Sequence, residues 1–88
     1  MRFSWDPIKA RTNLRKHGIS FDEATTVFAD PLALLVEDIT DAERSLITGE
    51  SLFGRVLVTV FVDVGEDTLR IISARRATRQ ERNRYEEG

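Results

Sequence analysis

The sequence predicts a small α+β domain, in which an antiparallel β-sheet is packed by two N-terminal helices and one C-terminal helix. Three observations support this fold class. Helix-start signals precede residue 31 and follow residue 77, alternating apolar segments lie between residues 32 and 74, and 88 residues leave room for one modest core. We therefore expect residues 1–88 to form a single domain.

The first third of the chain is predicted to hold a short strand and two helices. Arg2–Trp5 alternates polar and apolar residues, and Asp6–Pro7 then supplies an N-cap followed by a proline suited to the first helical position. That helix should end at His17, because the next residue is a glycine that can close it in the left-handed conformation. Ser20–Glu23 is a capping-box pattern, so a second helix is expected to start there and to end at Asp30–Pro31.

The central part of the chain is predicted to be a meander of four strands. Their expected bounds are Leu32–Glu37, Glu43–Thr48, Arg55–Asp63 and Thr68–Ala74. The connections are short and contain residues typical of tight turns, which favours antiparallel pairing of successive strands. A second capping box, Thr78–Glu81, begins the last helix. The predicted order is strand, two helices, four strands and a helix.

The third of these four strands has two different faces. Val56, Val58, Val60 and Val62 would point to one side, and Arg55, Leu57, Thr59 and Phe61 would point to the other. We expect the valine face to pack under helices and the mixed face to line a partly open concavity.

Composition excludes several classes of protein. The apolar runs are too short to cross a bilayer, and the N-terminus becomes polar at once, so a membrane span and a secretory signal are not expected and the location should be cytoplasmic. The chain has no cysteine and one histidine. Disulfides, thiolate metal sites and histidine-cluster metal sites are thereby excluded, and we predict no metal and no cofactor.

The charges are unevenly distributed along the chain. The formal net charge is -2, but the N-terminal 18 residues are basic and residues 20–50 carry eight acidic residues against Arg44 alone. Eleven of the thirteen basic residues are arginine, the side chain that binds phosphate bidentately. Phosphate binding is one interpretation. The alternative is that these arginines form solvated ion pairs.

Strings along the whole chain resemble the BrnT family of toxins. They include Phe3-Ser4-Trp5-Asp6, Lys16-His17-Gly18-Ile19-Ser20-Phe21, Val27-Phe28-Ala29-Asp30-Pro31, Gly54-Arg55-Val56-Leu57-Val58 and Arg70-Ile71-Ile72-Ser73-Ala74-Arg75. The resemblance implies a RelE-like α+β fold and a metal-independent endoribonuclease that inhibits translation. It also implies a BrnA-like ribbon-helix-helix antitoxin, a heterotetrameric complex, and binding of promoter DNA through the antitoxin.

RNA cleavage without a metal needs a base for the ribose 2′-hydroxyl, a proton donor to the leaving oxygen, and cations that stabilise the charge on phosphorus. The predicted catalytic residues are Arg55, Arg70 and Arg75, as a guanidinium cluster at strand ends, together with Glu43 and His17. Lys16, Glu50 and Tyr85 are alternative proton-transfer groups. The predicted RNA-binding residues are Lys16, Arg44, Trp5 and Arg76.

Structural roles are the alternatives for the same residues. His17 suits a helix-capping or packing role, and Trp5 suits the core, although Trp5 and Phe53 are also able to stack on bases. The arginines suit ion pairs with the acidic segment. For the whole chain, the alternative to an endoribonuclease is a nucleic-acid-binding or protein-interaction module without catalytic activity.

Overall fold

The computed structural model describes all of residues 1–88 and contains five strands and three α-helices. Their bounds are β1 Arg2–Ser4, α1 Pro7–His17, α2 Phe21–Thr26, β2 Leu34–Glu37, β3 Arg44–Glu50, β4 Val56–Gly65, β5 Thr68–Arg76 and α3 Arg79–Glu87, with a 3-10 turn at Val27–Ala29. The predicted order of elements and the α+β class are confirmed. None of the helices combines the length and the apolar character that crossing a membrane requires.

The helices begin where the capping residues predict. The Asp6 carboxylate accepts a hydrogen bond from the Ile8 amide at 2.8 Å, and the Ser20 hydroxyl accepts one from the Glu23 amide at 3.0 Å. The reciprocal half of the predicted Ser20–Glu23 capping box is wrong, because the Glu23 carboxylate points inward to Ser51 and Arg55. An ion pair between the buried Glu23 and the partly exposed Arg55 thus takes the place of the expected capping bond.

The sheet has the strand order β1-β5-β4-β3-β2. Successive strands from β2 to β5 pair antiparallel, which confirms the predicted meander. The short β1 pairs parallel to β5 at the other edge, so the sheet is mixed rather than purely antiparallel. This arrangement leaves β1 and β2 as the two edge strands and makes β4 the central one.

The core lies between the sheet and the α1–α2 region. It consists of Ile19, Phe21, Ala24, Val27, Ile47, Leu57, Phe61, Ile71 and Ala74. The concavity predicted for the mixed face of β4 is wrong, because Leu57 and Phe61 of that face point into this core. These larger side chains bury more apolar surface under the helices than the valines would. The valine side of β4 lies in register with Thr48 of β3 and Arg75 of β5 on the face where α3 packs.

An irregularity in β5 keeps its core-facing residues in place. Val60 and Phe61 are neighbours on β4, yet their partners on β5 are Ser73 and Ile71, so Ile72 is left without an opposite residue. Such a bulge shifts the alternation of side chains by one position. Ile71 and Ala74, which are three residues apart, consequently both face the core.

Candidate active site

A polar cleft with a volume of about 290 Å³ lies where the β3–β4 hairpin, the end of β5 and α3 meet. It is lined by Glu50, Gly54, Arg55, Val56, Arg76, Arg82 and Glu86. The sheet register explains why two of its arginines are close. Arg55 directly precedes β4, and Arg76, on the adjacent β5, pairs with Leu57 of β4. The third, Arg82, comes from the middle of α3. The fold thus brings together three guanidinium groups from separate parts of the sequence.

Arg55 is held by a buried carboxylate beneath the cleft. Its Nε lies 3.0 Å from Oε2 of Glu23, and its Nη2 also donates to Oε1 of Glu23. Glu23 is only 4% exposed, and the Ser51 hydroxyl donates a further hydrogen bond to it at 2.7 Å. The bonds to Arg55 lower the pKa of the Glu23 carboxyl below its usual value, although burial acts in the opposite direction. Arg55 is thereby oriented side-on, and its Nη1 group has no partner within the protein.

The other two arginines of the cleft, Arg76 and Arg82, form no ion pair. The ion pairs of the molecule are those of Met1 with Asp67, Arg44 with Asp41, Arg55 with Glu23 and Arg75 with Glu81. Arg76 and Arg82 take part in none of them, and both are exposed. Guanidinium groups in this state are suited to bind a phosphate bidentately. Glu50 and Glu86 supply two carboxylates at the same cleft, also outside these ion pairs.

Tyr85 connects α3 to the base of the cleft through Asp30. The Tyr85 hydroxyl donates to Oδ2 of Asp30 at 2.5 Å, and the same oxygen accepts from the Glu50 amide at 2.8 Å. The hydrogen bond to Asp30, with burial adding to it, raises the pKa of Tyr85 to about 12. Tyr85 therefore stays protonated at neutral pH and anchors α3, and it is not suited to accept a proton there.

Of the three arginines predicted to form a catalytic cluster, Arg55 lines the cleft and Arg70 and Arg75 do not. Arg75 makes a bidentate pair with Glu81 at 2.7 and 3.0 Å, which ties β5 to the first turn of α3. Arg70 pairs with Val62, six residues along β4 from Val56, or about 20 Å away. The structure therefore does not bring Arg55, Arg70 and Arg75 together at the cleft. The register places Arg70 far along the sheet from Arg55, and Arg75 is paired with Glu81 of the α3 capping box.

Glu43 and Arg44 lie at the opposite end of the sheet from the cleft. Arg44 of β3 and Arg70 of β5 both pair with Val62 of β4, so the two arginines flank the same valine. Arg44 also contacts Asp41 at 3.3 Å. Glu43 is exposed in the preceding turn. A role of these residues in RNA binding or cleavage stays a prediction.

His17, Lys16 and Trp5 also lie outside the cleft. His17 and Lys16 are exposed at the end of α1, where they line a separate groove of about 250 Å³ with Lys9 and Ser73. Trp5 packs edge-on against Phe21, with ring centroids 5.8 Å apart, and borders the core. Of the predicted site residues, the structure places Arg55 and Arg76 together at the cleft.

Comparison with known proteins assigns this chain to a protein family. The family model described as the ribonuclease toxin BrnT of type II toxin–antitoxin systems matches residues 5–81. The chain belongs to the BrnT family. The crystal structure of the BrnT ribonuclease toxin of Brucella abortus superposes with a TM-score of 0.74 and 28% identity, covering 90% of this chain and 99% of that one. No curated protein sequence matches. The family resemblance and the small α+β fold are confirmed.

In this BrnT-family chain, sequence reasoning missed three residues of the site and its support. Arg82 and Glu86 are four residues apart on α3, and this spacing places them on one helix face. This spacing can be recognised in the sequence. Glu23 was assigned to a capping box, and its pairing with Arg55, 32 residues away, has no local signature. No group of three or more histidine, cysteine, aspartate or glutamate side chains is arranged to hold a metal ion.

Proposed function

We propose that this chain is an endoribonuclease toxin that cleaves RNA in the cleft formed by Arg55, Arg76 and Arg82, without a metal ion. Membership of a family of ribonuclease toxins supports the reaction class. The observation that carries the location is the convergence of three guanidinium groups, two of which have no carboxylate partner. Guanidinium groups placed in this way are suited to hold a phosphodiester group and to stabilise the extra negative charge of its transition state.

The proposed reaction is attack of the ribose 2′-oxygen on the adjacent phosphorus. Glu50 takes the proton from the 2′-hydroxyl, the 2′-oxygen–phosphorus bond forms, and the bond from phosphorus to the 5′-oxygen breaks. The 5′-oxygen takes a proton from water. The products are a 2′,3′-cyclic phosphate and a 5′-hydroxyl end. Glu50 is chosen because it lines the cleft from the end of a strand, where Asp30 holds its backbone amide.

The arginines have distinct parts in this scheme. Arg76 and Arg82 bind the non-bridging phosphate oxygens, and Nη1 of Arg55 donates to the oxygen on which charge accumulates. Glu23 fixes the orientation of Arg55, so its guanidinium does not have to reorganise during the reaction. Glu23 is thus proposed as a positioning residue.

An assay of purified protein on RNA with excess chelator tests the proposal. We expect cleavage to continue under chelation and to leave 2′,3′-cyclic phosphate ends, and Glu50→Gln to cut at least about 100-fold more slowly. Intact RNA would contradict the enzymatic function, and RNA binding without cleavage would support a non-catalytic nucleic-acid-binding module instead. Activity lost on chelation and restored by a divalent metal would contradict the metal-independent mechanism.

Family membership implies a protein antitoxin as partner. The finer proposal is a BrnA-like ribbon-helix-helix antitoxin that forms a heterotetramer with the toxin and binds promoter DNA itself. In this scheme the toxin acts in the cytoplasm and inhibits translation by cutting RNA. Expression of the chain alone should arrest growth, and co-expression with the antitoxin should restore it. The mass of the purified complex tests the stoichiometry.

A further inference from the structure

The tip of the β3–β4 hairpin places two apolar side chains in water beside the cleft. Leu52 is 81% exposed and Phe53 is 73% exposed. Neither contributes to the hydrophobic core. The next two residues, Gly54 and Arg55, line the cleft. Core packing therefore does not explain why this tip carries a large aromatic ring.

The hairpin tip is held rigidly despite its exposure. The Gly54 amide donates to the Ser51 carbonyl at 2.9 Å, which closes the turn. The Leu52 amide donates to the Thr26 hydroxyl of α2 at 3.0 Å, and the Phe53 amide donates to the Ser51 hydroxyl at 3.2 Å. The backbone that presents Phe53 is thus fixed to a helix. A ligand that contacts the ring does not have to order the loop first.

We propose that Phe53 is a stacking platform for a nucleobase of single-stranded RNA next to the scissile phosphate. This inference rests on the proposed function and names the substrate class of the same cleft. An exposed aromatic ring beside a groove that contains arginine side chains is an arrangement by which proteins bind single strands. A base inside a duplex has both faces covered by its neighbours, so an unpaired base is required.

The spacing along the chain fits this role. Phe53 and Arg55 are two residues apart, and the chain spans at most about 7 Å over that distance. A phosphate held by Arg55 and a base stacked on Phe53 then belong to the same nucleotide or to adjacent ones. Leu52 extends the apolar surface beside the ring. Because every base has a π-face, we expect stacking to give affinity with little sequence preference.

Binding of synthetic oligonucleotides tests the proposal independently of cleavage. The probes are a fully 2′-O-methylated single strand, which lacks the attacking hydroxyl, and an abasic strand with the same number of phosphates. The variants are Phe53→Ala, Phe53→Trp and Leu35→Ala. Leu35 is the matched control, because it is an exposed apolar side chain on the edge strand β2, away from the cleft.

We expect Phe53→Ala to weaken binding of the base-containing strand by about 5- to 100-fold and to leave the abasic strand unaffected. Phe53→Trp should restore the affinity, and its added fluorescence should be quenched by the base-containing strand alone. Leu35→Ala should bind like the wild type. Since the Phe53 ring is mostly in water, thermal stability should not change, and this separates loss of contact from loss of folding.

Equal binding of the base-containing strand by the wild type and Phe53→Ala would overturn the proposal. So would an equal loss on both strands, because the ring would then not act through bases. Phe53→Ala that weakens only the complex with the antitoxin would assign the ring to a protein interface and would also overturn it. Base-dependent binding by a wild-type chain that cuts no RNA would contradict the proposed ribonuclease function and still support the stacking platform.

Discussion

The guanidinium of Arg55 and the carboxylate of Glu23 form a side-on pair that connects the β3–β4 hairpin to α2. One member is buried and the other reaches the cleft. The pair therefore links stability to function, because the carboxylate that holds the hairpin also aims the cation proposed to bind phosphate. Ser51, which donates to the same carboxylate, extends this link to the loop that presents Phe53.

Replacing Glu23 by glutamine should lower both stability and activity. The amide keeps the shape of the side chain but leaves Arg55 without its counter-charge, so we expect a loss of about 2 kcal/mol in the free energy of unfolding. Cleavage should slow by more than the unfolded fraction explains. Urea denaturation and initial rates measure the two effects. Glu37→Gln is the control, because Glu37 is exposed on β2, and equal stability of both variants would contradict the role of the pair.

Stability should fall in acid as the Glu81 carboxylate, which is paired with Arg75, becomes protonated. Hydrogen bonding to Arg75 lowers the pKa of Glu81 from 4.5 to about 2. A carboxyl whose pKa is lower in the folded state stabilises the fold above its unfolded pKa, and this contribution is lost as the pH falls from about 4.5 to about 2. Thermal unfolding across this range should show the loss. Glu81→Gln should flatten the curve there, and an unchanged slope would count against the pair.

Substitution of Asn13 should be among the most destabilising changes on α1. Its side-chain amide donates to the carbonyls of Ile19 and Ala74 at 2.9 and 2.8 Å and accepts from the Ala74 amide at 3.1 Å. Asn13→Leu leaves these buried backbone groups unpaired, and we expect a cost of about 2–4 kcal/mol. Chemical denaturation measures it. Thr12→Ala on the exposed side of α1 serves as the control, and a similar small effect of both changes would be a contradiction.

A methyl group at Gly49 should strain the contact between β3 and the segment before β2. A Cβ there would lie 3.0 Å from side-chain carbons of both Ala33 and Val27, and 3.1 Å from Oδ2 of Asp30. We therefore expect Gly49→Ala to cost about 1–3 kcal/mol, since neighbouring groups must move. The measurement is again the free energy of unfolding. Gly65→Ala tests backbone strain instead, because space is open there but φ is +84°.

The helices and strands could be predicted because their signals are local. Asp6 and Thr78 each mark a helix start, and both caps are present in the structure. The orientation of β4 was not predictable from alternation, since both of its faces are apolar enough to be buried. The choice is made by how Leu57 and Phe61 fit under α1 and α2, which is a property of the packed core.

The residues of the candidate cleft could be predicted only in part, because they meet through the tertiary fold. Arg55 was predicted as a catalytic arginine at a strand end and Arg76 as an RNA-binding residue, but nothing in the sequence shows which of Arg75 and Arg76 faces the cleft. The register of β5 decides between them, as it turns Arg75 toward Glu81 and Arg76 toward the cleft. The pairing of Glu23 with Arg55 could not be predicted, because the two residues are 32 positions apart in the sequence.

Single-turnover cleavage of RNA by two paired variants tests the central claim most directly. Arg76→Ala/Arg82→Ala removes the unpaired cations of the cleft, and Arg44→Ala/Arg70→Ala removes the same charge from the opposite end of the sheet. We expect the cleft variant to cut RNA at least about 100-fold more slowly, and the other to stay within about threefold of the wild type. Full activity in the cleft variant, with loss in the variant of the opposite end, would contradict the assignment of the active site.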